Sequence, residues 1–125
     1  MSLEMKEHES LNKAFESVLK PDKKYLTIRH DLKSGDSFPR HRHFVNEWII
    51  TSGGDFRIDL ARGPWRPVFH GVAVIPLPVG TSHGIKINGG MMSYFVLREK
   101  WSWRPSVIAH RIVDFIIKAV NDSES

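Results

Sequence analysis

Three histidines and one glutamate have the residue types and the spacing of a metal-binding set. His41 and His43 are two residues apart, so both side chains point to the same side of an extended backbone. Glu47 lies four residues further on, about 13 Å along a straight strand, so it can share an ion with them only if the chain bends at residues 44–46. His83 offers a fourth donor far along the chain. We take these four side chains as candidate metal ligands.

The donor atoms of this set indicate the kind of ion. Three imidazoles and one carboxylate suit iron, manganese, nickel, copper or zinc better than magnesium or calcium, which prefer oxygen ligands. We therefore predict one divalent transition metal ion as the cofactor, with iron, manganese, nickel and zinc all open. A metal that serves only to hold the fold together remains an alternative.

Glycines and a proline at fixed distances from these four residues complete two sequence motifs. The sequence resembles the cupin superfamily, in particular its small single-domain members. The first cupin motif, G-x5-H-x-H-x3-E-x6-G, is met at every position, and the second, G-x5-P-x-G-x2-H-x3-N, is met with one extra residue after its first glycine and one before its asparagine. The matching residues are Gly35, His41, His43, Glu47 and Gly54, then Gly71, Pro78, Gly80, His83 and Asn88.

The resemblance implies a fold and a range of activities. Cupins are all-β proteins with a double-stranded β-helix, a jelly-roll barrel, so His41, His43, Glu47 and His83 would be metal ligands inside it. Their chemistry includes dioxygenase, isomerase, decarboxylase and lyase reactions on small organic acids and sugars, and fold alone does not choose among these. Two other interpretations stay open. One is a non-catalytic cupin that senses a small molecule through a partner, and the other is a structural or storage barrel.

Alternating apolar residues and turn residues predict about eight short strands between residues 25 and 99. One strand, at 38–43, would carry the histidine pair, and another would return at 66–70. We expect hairpin turns at 52–55 and 88–90. The alternation over 25–32 directs His30 towards the core, either as a core histidine or as a pocket residue.

Apolar residues at helical spacing predict a short helix at 8–19, packed outside the barrel, and a second helix at 106–120. The apolar arc of the second helix is wide, so this helix either caps the barrel or forms a homodimer interface. Small cupins are homodimers more often than monomers, so the resemblance implies a homodimer. We divide the chain into an N-terminal segment (1–24), the cupin barrel (25–100) and a C-terminal helix with its tail (101–125), whose last residues we expect to be frayed.

Four further side chains are candidates for binding the substrate, while the sequence assigns no catalytic residue. A hydroxyl and three cations near the mouth of a barrel would favour a carboxylate ligand through charge-assisted hydrogen bonds. These residues are Tyr94, Arg98, Arg57 and Arg40.

Composition excludes several other classes of protein. The 125 residues suffice for one domain, and 41% hydrophobic with 26% charged residues is ordinary for a globular chain. The net charge of +4 comes from scattered cations without a nucleic-acid-binding motif, so we expect no nucleic-acid partner. We also expect no membrane partner, because no apolar run approaches the length of a span. The chain has no cysteine, and a cytoplasmic location is our expectation.

Overall fold

The computed structural model describes residues 6–60, 63–65, 72–100 and 103–124. In these ranges all strand pairings are antiparallel, in the order β1-β6-β4-β7-β2, with β3 also on β7 and β5 on β4. The predicted class, an all-β barrel with a helix near each end, is confirmed. The elements are β1 (Lys6–His8), α1 (Leu11–Val18), β2 (Tyr25–Lys33), β3 (Ser37–His41), β4 (Glu47–Leu60), β5 (Gly63–Trp65), β6 (Val72–Leu77), β7 (His83–Glu99) and α2 (Pro105–Glu124).

The two longest strands, β4 and β7, form one antiparallel ribbon that bends in its middle. The predicted hairpin turns at 52–55 and 88–90 were wrong, because both glycine pairs lie inside these continuous strands, on opposite sides of the same bend. Gly53, Gly54 and Gly90 have positive φ, and the pairing register shifts on both sides of Asp55. A Cβ on Gly54 would lie 2.9 Å from the Cβ of Met92. Glycine therefore allows the ribbon to fold over and close the barrel.

The inner face of the ribbon carries the main core. Ile49 and Ile58 of β4 and Ile85 of β7 are each at most 2% exposed, and burying one such side chain contributes about 1.5–3 kcal/mol. Ile87 faces inward beside Ile85. The other buried members of this cluster are Leu32, Phe56, Ile75, Leu77, Met92, Tyr94 and Val96.

The outer face of the sheet is covered by α1. Ser10 caps the helix by accepting a hydrogen bond from the backbone N–H of Lys13, and the buried Ala14 and Val18 pack on Ile50, Val72, Val74 and Leu97. Since Ile75 and Leu77 of the same β6 strand face the inner core, β6 is covered on both faces, as its apolar run predicts. The predicted helix began too early, because residues 6–8 form β1 on the edge of β6.

Three other predictions need correction or stay open. The strand carrying the histidine pair ends at His41, so His43 follows it. His30 is exposed, although its ring lies 5.4 Å from that of Phe38 and 6.1 Å from that of Tyr94. It is therefore not a buried core histidine. The predicted strand at 66–70 lies outside the described residues.

The helix α2 is longer than predicted and continues through Glu124, while the fraying of the last residues stays a prediction. One side contacts the barrel, where Phe115 stacks on Phe44 with ring centroids 4.2 Å apart. Another side is apolar and exposed, with Ile112, Val113, Ile116, Ile117 and Val120 each 42–55% accessible. The helix thus lies against the loop that follows β3, while the cap and the homodimer both stay predictions. No described helix is long and apolar enough to cross a membrane.

Candidate metal centre

Two of the candidate ligands are held directly opposite each other by strand pairing. His41, the last residue of β3, is the register partner of His83, the first residue of β7. Opposed residues of an antiparallel pair share one face of the sheet, and the two imidazole centroids lie 4.3 Å apart. His43 follows the end of β3, and its ring lies 4.6 Å from that of His41. One ring nitrogen from each of the three histidines lies within 4.8 Å of the others.

Backbone carbonyls orient two of the three imidazoles. The Nδ1 atom of His41 lies 2.8 Å from the carbonyl oxygen of Pro39, and the Nδ1 atom of His83 lies 3.0 Å from that of Thr81. A neutral imidazole that donates from Nδ1 keeps its lone pair on Nε2. Both rings therefore present Nε2 as an acceptor, as metal-binding histidines do.

Glu47 joins the histidines from the opposite end of the ribbon. It is the first residue of β4, follows a bend at residues 44–45, and is 2% exposed. Its Oε2 atom lies 3.3 Å from Nε2 of His43 and 3.7 Å from Nε2 of His83. The bend that the spacing requires is present, and it brings Glu47 beside His43 and His83, while the group with ring nitrogens mutually within 4.8 Å consists of the three histidines.

This arrangement fits a transition metal ion. Ligand atoms about 2.1 Å from one ion are about 3 Å apart when they are at right angles, and the distances around Glu47 Oε2 are slightly larger. Because His41 and His83 use Nδ1 for their hydrogen bonds, their Nε2 atoms are available to bind an ion. A set of three nitrogens and one carboxylate suits iron, manganese, nickel or zinc. His41 is exposed, so the site is open to solvent on that side.

The protonation of the site also favours a metal. Burial, then the charge of Arg98 and the neighbouring imidazoles, lower the pKa of His43 to about 4. Burial lowers the pKa of His83 to about 4, against the opposing effect of the Thr81 carbonyl. Burial raises the pKa of Glu47, while the hydrogen bond and the charge of Arg98 oppose this rise. Near pH 7 the two imidazoles are neutral, which is the form that binds a metal.

Of the four residues predicted to bind substrate, Arg98 lies at the metal centre. It is the register partner of Glu47 across β4 and β7, and its Nε donates a hydrogen bond to Glu47 Oε1. Tyr94 lies four residues deeper along the same inner face of β7 and is 4% exposed. Burial, with a further contribution from the charge of Glu47, raises the pKa of the Tyr94 hydroxyl, so it stays protonated.

The structure does not bring the other two to the centre. Arg57 alternates with the inward-facing Phe56 and Ile58, so it lies on the outer face of β4, where its Nε is 3.2 Å from an oxygen of Asp59. Arg40 is exposed, and its Nη2 donates to the carbonyl oxygen of Leu60 at 2.6 Å. Asn88, the last position of the second motif, lies inside β7 next to the bend of the ribbon, between the two ends of the strand that carry His83 and Arg98.

A cleft of about 460 Å³ opens beside His43 and Arg98. Leu26, Phe44 and Val45 give it apolar walls, and Glu99 and Lys100 complete its lining. Sites for small molecules have volumes of about 300–1,000 Å³ and combine apolar walls with a few polar groups. The volume of this open cleft lies within that range.

Sequence reasoning missed the residues that hold the segment carrying His43. Arg42 donates from Nη1 to the carbonyl oxygen of Gly80 and to Asp122, both at 2.7 Å. Asn46 donates to Glu99 at 3.2 Å and accepts from the backbone N–H of Val79 at 3.0 Å. The position of Arg42 between the two histidines was the one available signal, because Asp122 and Glu99 lie far away in the sequence.

No model of a known protein family matches the sequence, and no curated protein matches it. Solved structures do match. A cupin domain from Bordetella pertussis Tohama I is 16% identical, with 67% of this chain and 88% of that chain covered and a TM-score of 0.50. Oxalate decarboxylase from Bacillus subtilis, a protein with Mn(II) centres, is 19% identical over 68% of this chain and 23% of that chain, with a TM-score of 0.53.

A third match, RmlC from Streptococcus suis in complex with dTDP-D-xylose, is 14% identical over 78% of this chain and 57% of that chain, with a TM-score of 0.51. At these identities the likeness concerns the fold. The chain has the cupin fold, and the resemblance predicted from its two motifs is confirmed. Since one fold serves many chemistries, function has to be argued from the site.

Proposed function

We propose that this protein is a metal-dependent cupin enzyme that acts on a small organic acid or a sugar-like molecule. The observation that carries the proposal is the cluster of His41, His43 and His83 at a site open to solvent, with Oε2 of Glu47 beside His43 and His83. When bound there, a divalent ion of iron, manganese, nickel or zinc supplies Lewis acidity and, for the first two, redox chemistry. The Mn(II) centres of the B. subtilis relative support a metal at such a site.

Arg98 supports a carboxylate as the substrate class. Its Nε is engaged with Glu47, and its side chain is 32% exposed and lines the cleft. The remaining donors of the guanidinium can bind a carboxylate, the anion that its planar fork fits best. Lys100 adds a second cation to the same wall, and Leu26 with Phe44 would contact the apolar part of the molecule.

Arg98 and Tyr94 would also position the groups around the metal. Arg98 fixes one oxygen of Glu47, so the other oxygen stays directed at His43 and His83. Tyr94 keeps its proton because burial raises its pKa, so it offers a hydroxyl donor on the inner face. We place the enzyme in the cytoplasm as a homodimer, in keeping with a chain that has no cysteine and with the exposed apolar side of α2.

A second candidate is a non-catalytic cupin that binds a small molecule and signals through a partner. The exposed apolar residues of α2 favour it, because an apolar patch on a surface marks sites of protein association. In this case the same cleft binds the ligand, but no product is formed.

The test begins with elemental analysis of protein purified without added metal and without a nickel column. We expect one equivalent of a transition metal in the wild type and in His30→Gln, a control histidine outside the centre, and its loss in His83→Gln. A panel of small carboxylates then follows by thermal shift and by product analysis. A ligand at a hundredfold excess over its Kd stabilises the fold by about 2.7 kcal/mol.

The outcomes separate the candidates. Turnover of a carboxylate by the metal-loaded wild type, lost in Glu47→Gln, supports the enzyme. A metal and a thermal shift without any product support the sensor. A folded wild type that retains no transition metal, even after reloading, contradicts the metal-dependent function.

A further inference from the structure

The segment that carries His43 is joined to α2 by side-chain contacts. Strand pairing and a bond at Nδ1 hold His41 and His83, whereas His43 lies beyond the last residue of β3. On either side of His43, Arg42 donates to Asp122 of α2 at 2.7 Å, and the Phe44 ring stacks on that of Phe115 at an angle of 12°. Both neighbours of this candidate ligand thus contact the same helix.

The loop before His83 lies between this segment and α2. The backbone N–H of Gly80 donates to the carbonyl oxygen of His43 at 3.0 Å, and the Gly80 carbonyl accepts from Arg42 at 2.7 Å. On its other side, Gly80 packs so closely on the helix that a Cβ would lie 2.9 Å from the Cα of Phe115 and from the Cβ of Lys118. The helix therefore supports both segments that lead to the metal centre.

A buried carboxylate makes a second connection. Glu99 is 8% exposed, accepts a hydrogen bond from Asn46 at 3.2 Å, and lies 3.5 Å from Nη2 of Arg111 in α2. Lys23 donates to its other oxygen at 3.0 Å. Because Asn46 immediately precedes Glu47, this contact reaches the fourth candidate ligand as well.

We propose that α2 is a positioning element for the metal centre, and that the contact between Arg42 and Asp122 sets the position of His43 and hence the metal affinity. This inference rests on the metal site of the proposed function. Residues that orient metal ligands typically change the affinity by about 10- to 100-fold when they are replaced. Arg42 and Asp122 are 25% and 17% exposed, so their ion pair is partly shielded from solvent.

Replacing each residue of the ion pair in turn distinguishes a loss of positioning from a purely electrostatic effect on the metal affinity. Arg42→Gln removes a positive charge near the site, which by electrostatics alone would strengthen cation binding. Asp122→Asn leaves that charge uncompensated, which by electrostatics alone would weaken it. Loss of positioning weakens binding in both variants. Asp31→Asn, which breaks the exposed pair with Arg29 on β2, is the control.

The experiment measures binding of Co(II) alone, by competition with a chelator, together with the visible absorption of the bound ion and the urea unfolding of the metal-free protein. We expect both variants to bind Co(II) about 10-fold or more weakly, with a changed absorption spectrum and a nearly unchanged unfolding midpoint. The control should match the wild type in all three measurements.

The opposing results are distinct. If the wild type binds Co(II) and both variants bind it equally well with the same spectrum, the positioning role is overturned while the metal site stands. Opposite changes of affinity in the two variants would show an effect of charge and overturn it too. Unfolding of both metal-free variants would mean that the contact holds the barrel rather than the ligand. A folded wild type that binds no Co(II) overturns the site and this inference together.

Discussion

Arg98 binds one carboxylate oxygen of Glu47 and leaves the other directed at two histidines. The residues are directly opposed across β4 and β7, and Arg98 holds Oε1 while Oε2 faces His43 and His83. The same cation contributes to the low pKa values of both imidazoles, after burial. A single arginine thus orients the carboxylate and keeps the histidines unprotonated.

Replacing Arg98 should therefore raise the pKa of His43. In Arg98→Gln the positive charge is gone, and we expect the pKa to rise from about 4 while staying below that of a free imidazole, about 6.5, because the site is still buried. NMR titration of the imidazole resonances in metal-free protein measures this. Arg29→Gln, on the outer face of β2, is the control, and an unchanged His43 pKa in Arg98→Gln would contradict the prediction.

The metal-free protein should lose stability as the pH falls below 6.5. The folded pKa values of His43 and His83 are about 4, against 6.5 ordinarily, so between these values the unfolded chain binds more protons. Each histidine then lowers the free energy of unfolding by at most about 1.4 kcal/mol per pH unit. Glu47 acts in the opposite sense just above pH 4.5, because its folded pKa is raised.

Urea unfolding in the presence of a chelator at pH 7, 6 and 5 measures this dependence. His83→Gln removes one of the two histidines and should give a shallower slope than the wild type. A stability that is constant or that rises between pH 6.5 and 5 would show that the imidazoles are not kept neutral by the fold.

The bend of the β4–β7 ribbon should depend on glycine. In Gly54→Ala a side chain would occupy a residue with φ of +72° and meet the Cβ of Met92 at 2.9 Å, so we expect a loss of about 2 kcal/mol or more in the free energy of unfolding. In the control Gly89→Ala the nearest atom is 4.0 Å away. Equal unfolding midpoints in urea for the two variants would contradict this role.

The exposed apolar side of α2 should mediate the predicted homodimer. Ile116 is 55% exposed, and in Ile116→Glu a charge would have to be buried at the interface, which is costly. We expect sedimentation to show a dimer for the wild type and a monomer for the variant. Asp114→Lys, which changes a charge at an exposed position on the other side of the same helix, should remain dimeric. A monomeric wild type at micromolar concentration would exclude the dimer.

The residues of the metal centre could be nominated from the sequence because of their residue types and motif spacing, although His43 lies beyond the end of β3 and does not share its strand geometry. His41 and His43 are two residues apart, and the need for a bend before Glu47 followed from distance alone. The structure brings both histidines together with His83, and it places Glu47 beside His43 and His83. The cupin motifs then restricted the possible β folds to one.

The glycine pairs show why the strands could be located more readily than their connections. Gly53-Gly54 and Gly89-Gly90 have the composition of hairpin turns, but they face each other across the ribbon and bend it without ending either strand. This outcome depends on pairing between distant segments. The contact between Arg42 and Asp122 depends in the same way on how α2 folds back, which no local pattern encodes.

The folded ribbon also makes the metal centre sensitive to the length of its own walls. Glu47 and His83 lie at opposite ends of the ribbon, beside Arg98 and Leu60 respectively, yet their side chains are 3.7 Å apart. A single inserted residue in either arm would shift one donor by about 3.3 Å and turn it to the opposite face. An insertion in either arm would therefore need a compensating β-bulge, like the register shift at Asp55, for the donors to stay together.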